Sequence, residues 1–349
     1  MGQKPLSRLD AMKTINSIRS GLDAGYSLQE SVSKAAKKLG IARGTIHNRI
    51  SPNGSIKRSH PDLMPDGWDS VIEPKAPEFI TEAKPRIKIK INSTPDGDTM
   101  RVCAIGDVHD SPHLADKSRL KWIARHISNT KPDKIVQIGD FGDFESCSSH
   151  EPIGSTAYAN KPSYMMDIES LQEALSAFAK ELGPDIPKYV LEGNHEDRIY
   201  RFQNLHPETN GLFVNQLQQV WAEYGWHSKK YGEWLFLNGV GFTHVPMSIM
   251  GKPYGGKASE NMIGNDAIFS IVYGHTHRSV FKRIPKIGPS QSIEVLNLGS
   301  AMPDGYVAKY AGTSTTGWTY GIFDLELRGG HIVGHNFISM HKLEEMYGD

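Results

Sequence analysis

The spacing of apolar residues along this chain changes near residue 100. Between residues 8 and 21 the spacing is helical, with apolar side chains that would share one face at Leu9, Met12, Ile15, Ile18 and Leu22. The segment RIKIKI, residues 86–91, alternates strictly and predicts a strand with one solvent-exposed face. After residue 100 short apolar runs alternate with helical segments, and past Trp226 strands dominate. This order predicts a layered α/β sandwich with helices outside two sheets.

The apolar runs also place individual elements. Two helices are expected, at residues 117–130 and 163–182. The expected strands are 100–105, 134–138, 189–191, 234–237, 240–243, 268–273, 293–298 and 320–327. Five prolines and few periodic apolar residues between residues 51 and 82 indicate a linker. We therefore expect three parts, a helical domain at 1–50, a linker at 51–85 and an α/β domain at 86–349.

The segment ESVSKAAKKLGIARGTIHNRIS, residues 30–51, has the pattern of two helices joined by a tight turn at Gly40. Ser27, three residues before it, and Glu30, its first residue, form a capping box. The pattern resembles the helix-turn-helix of small bacterial regulators and recombinases, which implies DNA binding. The second helix would present side chains that reach phosphates and base edges, namely Arg43, Thr45, His47, Asn48 and Arg49. A protein-interaction module is the alternative.

The two ends of the chain differ in net charge. The net charge is zero, but residues 1–60 hold eleven Lys and Arg against three Asp and Glu, a net of +8, so the remainder carries −8. A basic head indicates an anionic partner such as nucleic acid, although a soluble helical cap would also satisfy the pattern. Cys103 and Cys147 form no metal-type pair or disulfide framework, and no signal-peptide core or membrane span is expected. These features favour the cytoplasm, without a membrane partner.

Five polar blocks follow apolar runs in the second part of the chain. They are GDVH (106–109), GDFGD (139–143), GNHE (193–196), FTHV (242–245) and GHTH (274–277). Residues just beyond strand ends converge in one crevice of such a sheet. Carboxylates mixed with imidazoles suit Mn, Fe or Zn better than Ca, and the number of ligands favours two metals over one.

The five blocks in this order resemble the calcineurin-like metallophosphoesterases over roughly residues 100–330. The resemblance implies a four-layer α/β/β/α sandwich holding two divalent metals, with Mn expected and Fe, Zn, Ni or Mg as alternatives. It implies Asp107, His109 and His277 as ligands of the first metal. Asp140 would bridge the metals. The second metal would be bound by Asn194, His244 and His275.

Two further residues of the pattern would act without binding metal. His195 would face the substrate, as a proton donor to the leaving oxygen or a stabiliser of the phosphoryl oxygens, and Asp143 would orient it. Glu196 would fix the loop. Arg198 could contact phosphate or pair on the surface with Glu192 or Asp197. Phe144 stands where the protein-phosphatase branch carries an arginine, which disfavours a phosphoprotein substrate.

A helix-turn-helix joined to a phosphoesterase also resembles phage- and prophage-encoded proteins. We therefore expect a metal-dependent DNA phosphodiesterase, tethered to DNA by residues 1–50, in the host cytoplasm if phage-encoded. The first alternative is a nucleotide or phosphoprotein phosphatase whose head docks partners or forms a homo-oligomer. The second is a DNA-binding regulator whose metal domain only senses or scaffolds.

Overall fold

The structure, a computed structural model, describes residues 6–50, 54–64, 97–183, 186–288, 291–308, 311 and 317–348. The chain divides into two compact units, Met1–Ile89 and Lys90–Asp349, which are described separately. The strand predicted at 86–91 and most of the predicted linker lie outside the described residues. Within that linker, residues 55–63 form a short helix followed by a 3₁₀ turn.

The first unit is helical. Its helices are α1 (Arg8–Asp23), α2 (Leu28–Leu39), α3 (Arg43–Ile50) and α4 (Ser55–Ser59). Their core is built from residues on one side of each helix: Ala11, Ile15, Ile18, Val32, Ala35, Ala36, Ile46, Ile50 and Ile56. The predicted face of α1 was partly wrong, because Leu9 and Met12 are 62% and 43% exposed. Those two positions lie off the stripe that Ala11, Ile15 and Ile18 form at helical spacing.

The turn between α2 and α3 has the predicted geometry. The Ser27 hydroxyl accepts from the Glu30 amide and the Glu30 carboxylate accepts from the Ser27 amide, which confirms the capping box. Gly40 ends α2 in the left-handed conformation, with φ 65°. Of the predicted DNA-contacting residues, three are exposed on α3: Arg43, Thr45 and Asn48.

Arg49 differs from these three because its guanidinium donates to the Thr14 hydroxyl of α1 at 3.0 Å. It therefore ties α3 to α1 within the unit. The side chain of His47 lies outside what the structure describes.

The second unit contains two sheets. The first has six strands in the order β11-β10-β1-β2-β3-β4. Its strands are β1 (Met100–Ile105), β2 (Lys134–Gln137), β3 (Lys188–Leu191), β4 (Trp226–Lys229), β10 (Gly321–Arg328) and β11 (His331–Ser339). Strands β1 to β4 are parallel, with Val102 opposite Lys134 and Ile135 opposite Lys188, whereas β10 and β11 are antiparallel.

The second sheet has five strands in the order β5-β6-β7-β9-β8. They are β5 (Leu235–Leu237), β6 (Val240–Phe242), β7 (Ile271–Tyr273), β8 (Ser279–Pro285) and β9 (Ser292–Leu298). The central strands β6, β7 and β9 are parallel, and β5 and β8 close the edges in antiparallel pairing.

Helices cover the outer faces. The longer described helices of this unit are α5 (Ser118–Thr130), α7 (Tyr164–Glu181), α8 (Glu196–Leu205), α9 (Phe213–Glu223), α10 (Ser259–Asp266) and α11 (Met340–Tyr347), and α6 (Thr156–Ala159) is one turn long. The burial of β1 shows the layering, because Cys103 and Ile105 pack with the helices while Val102 and Ala104 pack between the sheets. Helix α10 packs on the outside of the second sheet. The four-layer α/β/β/α sandwich is therefore confirmed.

A buried ionic cluster holds the loop that follows β1. The Asp110 carboxylate, which has no exposed surface, accepts from Lys117 at 2.8 and 2.9 Å and from Arg119 at 3.0 Å. The hydroxyl of Ser170 on α7 donates to it at 2.8 Å. The cluster joins this loop to α5 and α7, and it lies directly after the GDVH block.

Asp110→Ala is expected to destabilise the second unit by about 3–5 kcal/mol, because Lys117 and Arg119 would be left buried without their carboxylate. Denaturant unfolding would measure the change. The control is Glu173→Ala, which removes an exposed carboxylate of α7 and should change stability by less than about 0.5 kcal/mol. Equal effects of the two variants would contradict the structural role of the cluster.

Candidate metal centre

The five polar blocks meet at one edge of the sandwich. Asp107 and His109 follow β1, Asp140 and Asp143 follow β2, and Asn194 follows β3. In the second sheet, the blocks of His244, His275 and His277 follow the parallel strands β6 and β7. The carboxyl ends of parallel strands from both sheets thus supply every predicted ligand.

The first group of side chains consists of Asp107, His109 and His277, all buried. His277 Nε2 lies 3.0 Å from Asp107 Oδ2 and 3.0 Å from His109 Nε2. Nitrogen and oxygen atoms so close together point to a common centre. These are the three residues predicted for the first metal.

The second group consists of Asp140, His244 and His275, with Asn194 beside them. Asn194 Oδ1 lies 2.8 Å from His275 Nδ1 and 3.0 Å from His244 Nε2. His244 Nδ1 lies 3.1 Å from the carbonyl oxygen of Ile138, a contact that fixes the ring. The structure therefore brings together all the residues predicted for the second metal.

Asp140 lies between the two groups. Its Oδ2 is 3.3 Å from His244 Nε2 in the second group and 3.8 Å from His109 Nε2 in the first. Its Oδ1 accepts from the main-chain amide of His195 at 2.9 Å. One oxygen of Asp140 is thus held by the backbone, while the other faces His244 of its own group and His109 of the first group.

The backbone of the site is strained. Four of the seven predicted ligands have positive φ angles, namely His109 (46°), Asp140 (51°), His275 (73°) and His277 (57°). Residues with a Cβ adopt this region at a cost in free energy, and such strain is stored mainly at functional sites. The fold therefore supports ligand geometry that local propensity disfavours.

Gly274 leaves room for a neighbouring side chain and does not itself adopt a positive φ angle. A Cβ there would lie 2.2 Å from Asp107 Oδ1 and 2.6 Å from Ile138 Cγ2. The left-handed residues of this loop are His275 and His277 themselves. Gly274 is required because the Asp107 carboxylate packs against its backbone.

Gly274→Ala is expected to push Asp107 out of the first group and to lower metal affinity and activity about 10–100-fold each. Metal titration by calorimetry and hydrolysis assays would measure both quantities. Gly255→Ala is the control, since a Cβ at Gly255 would meet no heavy atom within 4 Å. Unchanged metal affinity in Gly274→Ala would contradict this account of the loop.

Burial and mutual charge set the ionisation of the site. Burial disfavours the carboxylate of Asp140, but the imidazoles of His244, His195 and His109 outweigh it and hold the pKa of Asp140 well below its usual range. Burial opposes the charged form of His244 too, yet Asp140 raises the pKa of His244 to about 9. Burial and the neighbouring His244 lower the pKa of His275 to about 4. At neutral pH the cluster therefore holds an ionised carboxylate and at least one neutral imidazole, both suitable metal ligands.

One buried oxygen shows that the cluster fits a cation. Asp107 Oδ1 is buried and has no hydrogen-bond partner among the described residues. A buried carboxylate oxygen without a partner costs free energy that a bound cation would offset. The donor set of imidazoles, carboxylates and one amide suits transition metals.

His195 and Asp143, the two residues predicted to act without binding metal, lie side by side, and His195 Nδ1 is 3.0 Å from the Asp143 carbonyl oxygen. His195 Nδ1 lies 2.6 Å from Asp143 Oδ1, and the His195 ring is buried beside His109, with ring centroids 4.5 Å apart. Burial raises the pKa of Asp143, but contacts with His109 and His195 overcome it and lower that pKa far below its usual range. Asp143 is therefore ionised and can orient the imidazole.

Arg198 lies in neither surface pair considered from the sequence. Asp197 instead pairs with Arg201 at 2.9 Å, and the carboxylate of Glu192 accepts from Tyr200. Arg198 Nη1 donates to the Asp143 carbonyl at 2.7 Å, and its Nη2 lies 3.1 Å from His195 Nε2. Arg198 is thus placed against His195 and Asp143.

Loop anchors complete the centre. The buried carboxylate of Glu196 accepts from the amides of Asp140, Gly142 and Gly193, so it fixes two ligand loops together, as predicted. Sequence reasoning missed Gln137, whose buried amide group hydrogen-bonds Gly106 and Gly139. A polar residue at the end of an apolar strand was the available signal.

A two-sheet α/β sandwich with paired ligand clusters at the carboxyl ends of its strands defines a metal-dependent phosphoesterase architecture. A family model described as calcineurin-like phosphoesterase matches residues 100–279, and the chain belongs to that family. Members typically bind two divalent metals. The described residues contain both groups discussed above and a third group of buried side chains, His109, Asp140 and His195, that could also hold an ion.

The chain is similar to the Gene 54 protein of Mycobacterium phage D29, with 27% identity over 239 residues, 62% of this chain and 86% of that protein. It is also similar to solved structures of a Vps29 mutant from Entamoeba histolytica and of Yfce, a phosphoesterase from E. coli. Each is 15% identical and covers 69% of this chain and 100% of its own, with TM-scores of 0.33 and 0.29. Among the described residues, no helix has the length and apolar character needed to cross a membrane.

Proposed function

We propose that this protein is a two-metal phosphodiesterase that cleaves DNA. The observation that carries the proposal is that Asp140 Oδ2 faces imidazoles of two groups of buried and half-buried side chains, with His195 and Asp143 alongside. Hydrolysis of a phosphoester is promoted by cations that stabilise charge on the phosphoryl oxygens and by a nearby proton-transfer group. The two groups of side chains would hold such cations, and His195 is a proton-transfer group beside them.

The predicted ligands would take the roles that their grouping favours. Asp107, His109 and His277 would hold one cation and Asn194, His244 and His275 the other, with Asp140 between them. When bound, two such cations supply Lewis acidity and an activated water. We expect Mn²⁺, because hard oxygen donors are mixed with imidazoles.

His195 would act on the substrate. Its imidazole is oriented by Asp143 and lies between the first group and Arg198. It is placed to donate a proton to the leaving oxygen or to stabilise the phosphoryl oxygens. Arg198 would turn from His195 and Asp143 toward a phosphate oxygen, as a guanidinium can make two parallel hydrogen bonds to phosphate.

The first unit favours nucleic acid as the substrate. Residues 1–60 carry a net charge of +8, and α3 exposes Arg43, Thr45 and Asn48, whose side chains suit phosphate and base contacts. The acidic remainder would repel DNA, so bound cations and this basic unit must supply the attraction. A phosphoprotein substrate is less well supported, because Phe144 is buried where a phosphate-binding arginine would be needed.

Hydrolysis assays test the proposal. The substrates would be bis-p-nitrophenyl phosphate, p-nitrophenyl phosphate, and labelled single- and double-stranded DNA, each with Mn²⁺, Mg²⁺, Zn²⁺ or no metal. We expect metal-dependent cleavage of the diester and of DNA with little monoester turnover. Strong monoester turnover with intact DNA would instead establish a phosphatase, and DNA binding without any hydrolysis would establish a regulator.

Charge reversal on α3 tests the role of the first unit. Arg43→Glu should lower kcat/KM on DNA about 10-fold and make its salt dependence shallower, while leaving hydrolysis of the small diester unchanged. Lys13→Glu makes the same charge change at an exposed position of α1 and serves as the control. Equal losses in the two variants would show that the first unit attracts DNA only through its overall positive charge. No loss in either variant would show that the first unit does not bind DNA.

A further inference from the structure

A cavity of about 620 Å³ lies beside the GHTH loop of the metal centre. It is lined by Gly256, Lys257, Thr276, Arg278, Gly317 and Trp318. Thr276 stands between the ligands His275 and His277, and Arg278 directly follows them. Part of the cavity wall therefore belongs to the loop that carries His275 and His277.

Trp318 provides an aromatic wall that is fixed to the centre. Its ring meets the imidazole of His277 edge to face, with centroids 4.7 Å apart and an interplanar angle of 80°. The next residue, Thr319, donates its amide to the His277 carbonyl at 2.8 Å, and its carbonyl accepts from Ser300 at 2.8 Å. Because both backbone groups of Thr319 are held, the position of the indole is tied to that of the ligand loop.

Two cationic side chains complete the cavity. Arg278 is 24% exposed, and its Nη2 donates to the Gly256 carbonyl at 2.6 Å, which holds the guanidinium at the cavity wall. The buried Glu260 lies 4.0 Å away and balances part of that charge. Lys257 is exposed and adds a second cation. An aromatic face with adjacent cations is the chemistry that binds a base and its phosphate in single-stranded nucleic acid.

We propose that this cavity is the subsite for the nucleoside attached to the scissile phosphate, with its base stacked on Trp318 and its next phosphate near Arg278 and Lys257. The inference rests on the proposed phosphodiesterase function and adds a substrate feature to it. Stacking is tolerant of base identity, so the subsite favours nucleic acid over simple phosphate esters without selecting a sequence.

Two chromogenic diesters with the same leaving group isolate the subsite. Thymidine 5′-p-nitrophenyl phosphate carries a nucleoside, and methyl p-nitrophenyl phosphate carries none. For the wild-type protein with Mn²⁺, kcat/KM should be higher for the nucleoside diester. In Trp318→Ala the ratio of the two kcat/KM values should fall about 10-fold, and Trp318→Phe should recover most of it, because a phenyl ring still stacks.

An unchanged ratio in Trp318→Ala would overturn the subsite while leaving the phosphodiesterase function intact. An equal loss on both diesters would also overturn it, since the indole would then only support His277. Metal content measured on each variant shows whether the first ligand group is preserved. If the wild-type protein hydrolyses neither diester, it is the proposed function that fails.

Equilibrium binding keeps the subsite testable in that case. Calorimetry with Mn²⁺ present would compare thymidine 5′-monophosphate with methyl phosphate on the full chain. Trp318→Ala should weaken the nucleotide about 10-fold more than methyl phosphate. Equal affinity of the wild-type protein for the two ligands would overturn the subsite. Arg278→Gln should weaken thymidine 3′,5′-bisphosphate more than the monophosphate, and equal effects would remove Arg278 from the phosphate contact.

Discussion

Asp140→Asn is expected to abolish metal loading and to reduce kcat/KM by about 10³-fold or more. Asp140 is ionised because its pKa lies well below its usual range, and its Oδ2 faces imidazoles of both ligand groups. Asparagine has the same shape and keeps an acceptor for the His195 amide, so the loops should remain folded. What disappears is the negative charge between the two groups.

Metal content by mass spectrometry and the rise in Tm on adding Mn²⁺ would measure the effect. The wild-type protein should hold two metals and be stabilised by excess Mn²⁺, because a ligand that binds only the folded state raises its stability. Asp98→Asn, at an exposed position, is the matched control. Two bound metals with full activity in Asp140→Asn would exclude the bridging role.

The ligands were predictable because their signals are local. Each block follows an apolar run, and parallel strands end at the same edge of a sheet, so Asp107, Asp140 and Asn194 had to converge. The grouping into two sets was not derivable from such local signals. For His275 and His277 the assignment to different groups came from the family resemblance alone. These two residues are only two positions apart in the sequence, and the structure places them in different groups.

Features that depend on tertiary packing could not be predicted. Asp and His adopt the left-handed region more often than most residues with a Cβ, but still rarely, so the sequence does not mark Asp140 or His109 for it. Their positive φ angles are imposed by the fold. The contact of Trp318 with His277 joins residues about 40 positions apart that share no periodic pattern. Strands β4, β8 and β11 were also missed, since all three alternate weakly and lie at sheet edges.

The helical unit shows a different kind of error. Leu9 and Met12 are apolar, but a helix has 3.6 residues per turn, and the stripe through Ala11, Ile15 and Ile18 leaves them on the solvent side. Ala11 therefore marks the buried face of α1, whereas the larger Leu9 does not. Close approach of α1 and α2 explains this, since Gly21 packs directly against Ser31.

His195→Ala is expected to keep both metals and to lose about 10²–10⁴-fold in kcat on DNA. The imidazole is adjacent to the ligand groups without belonging to the two sets assigned to metals, so metal content should be unchanged. The size of the loss should depend on the leaving group if His195 donates a proton. An alkoxide leaving from DNA needs that proton, whereas p-nitrophenolate leaves readily without it.

The leaving-group comparison separates the two roles considered for His195. A loss on DNA that is much greater than the loss on bis-p-nitrophenyl phosphate would establish proton donation, and equal losses would establish stabilisation of the phosphoryl oxygens. Asp143→Asn should change the losses on DNA and on bis-p-nitrophenyl phosphate in the same direction as His195→Ala. Both losses should be smaller, because Asp143 acts by orienting the imidazole. Loss of metal in His195→Ala would contradict both roles. In that case the imidazole would be a ligand, as its proximity to His109 and Asp140 also permits.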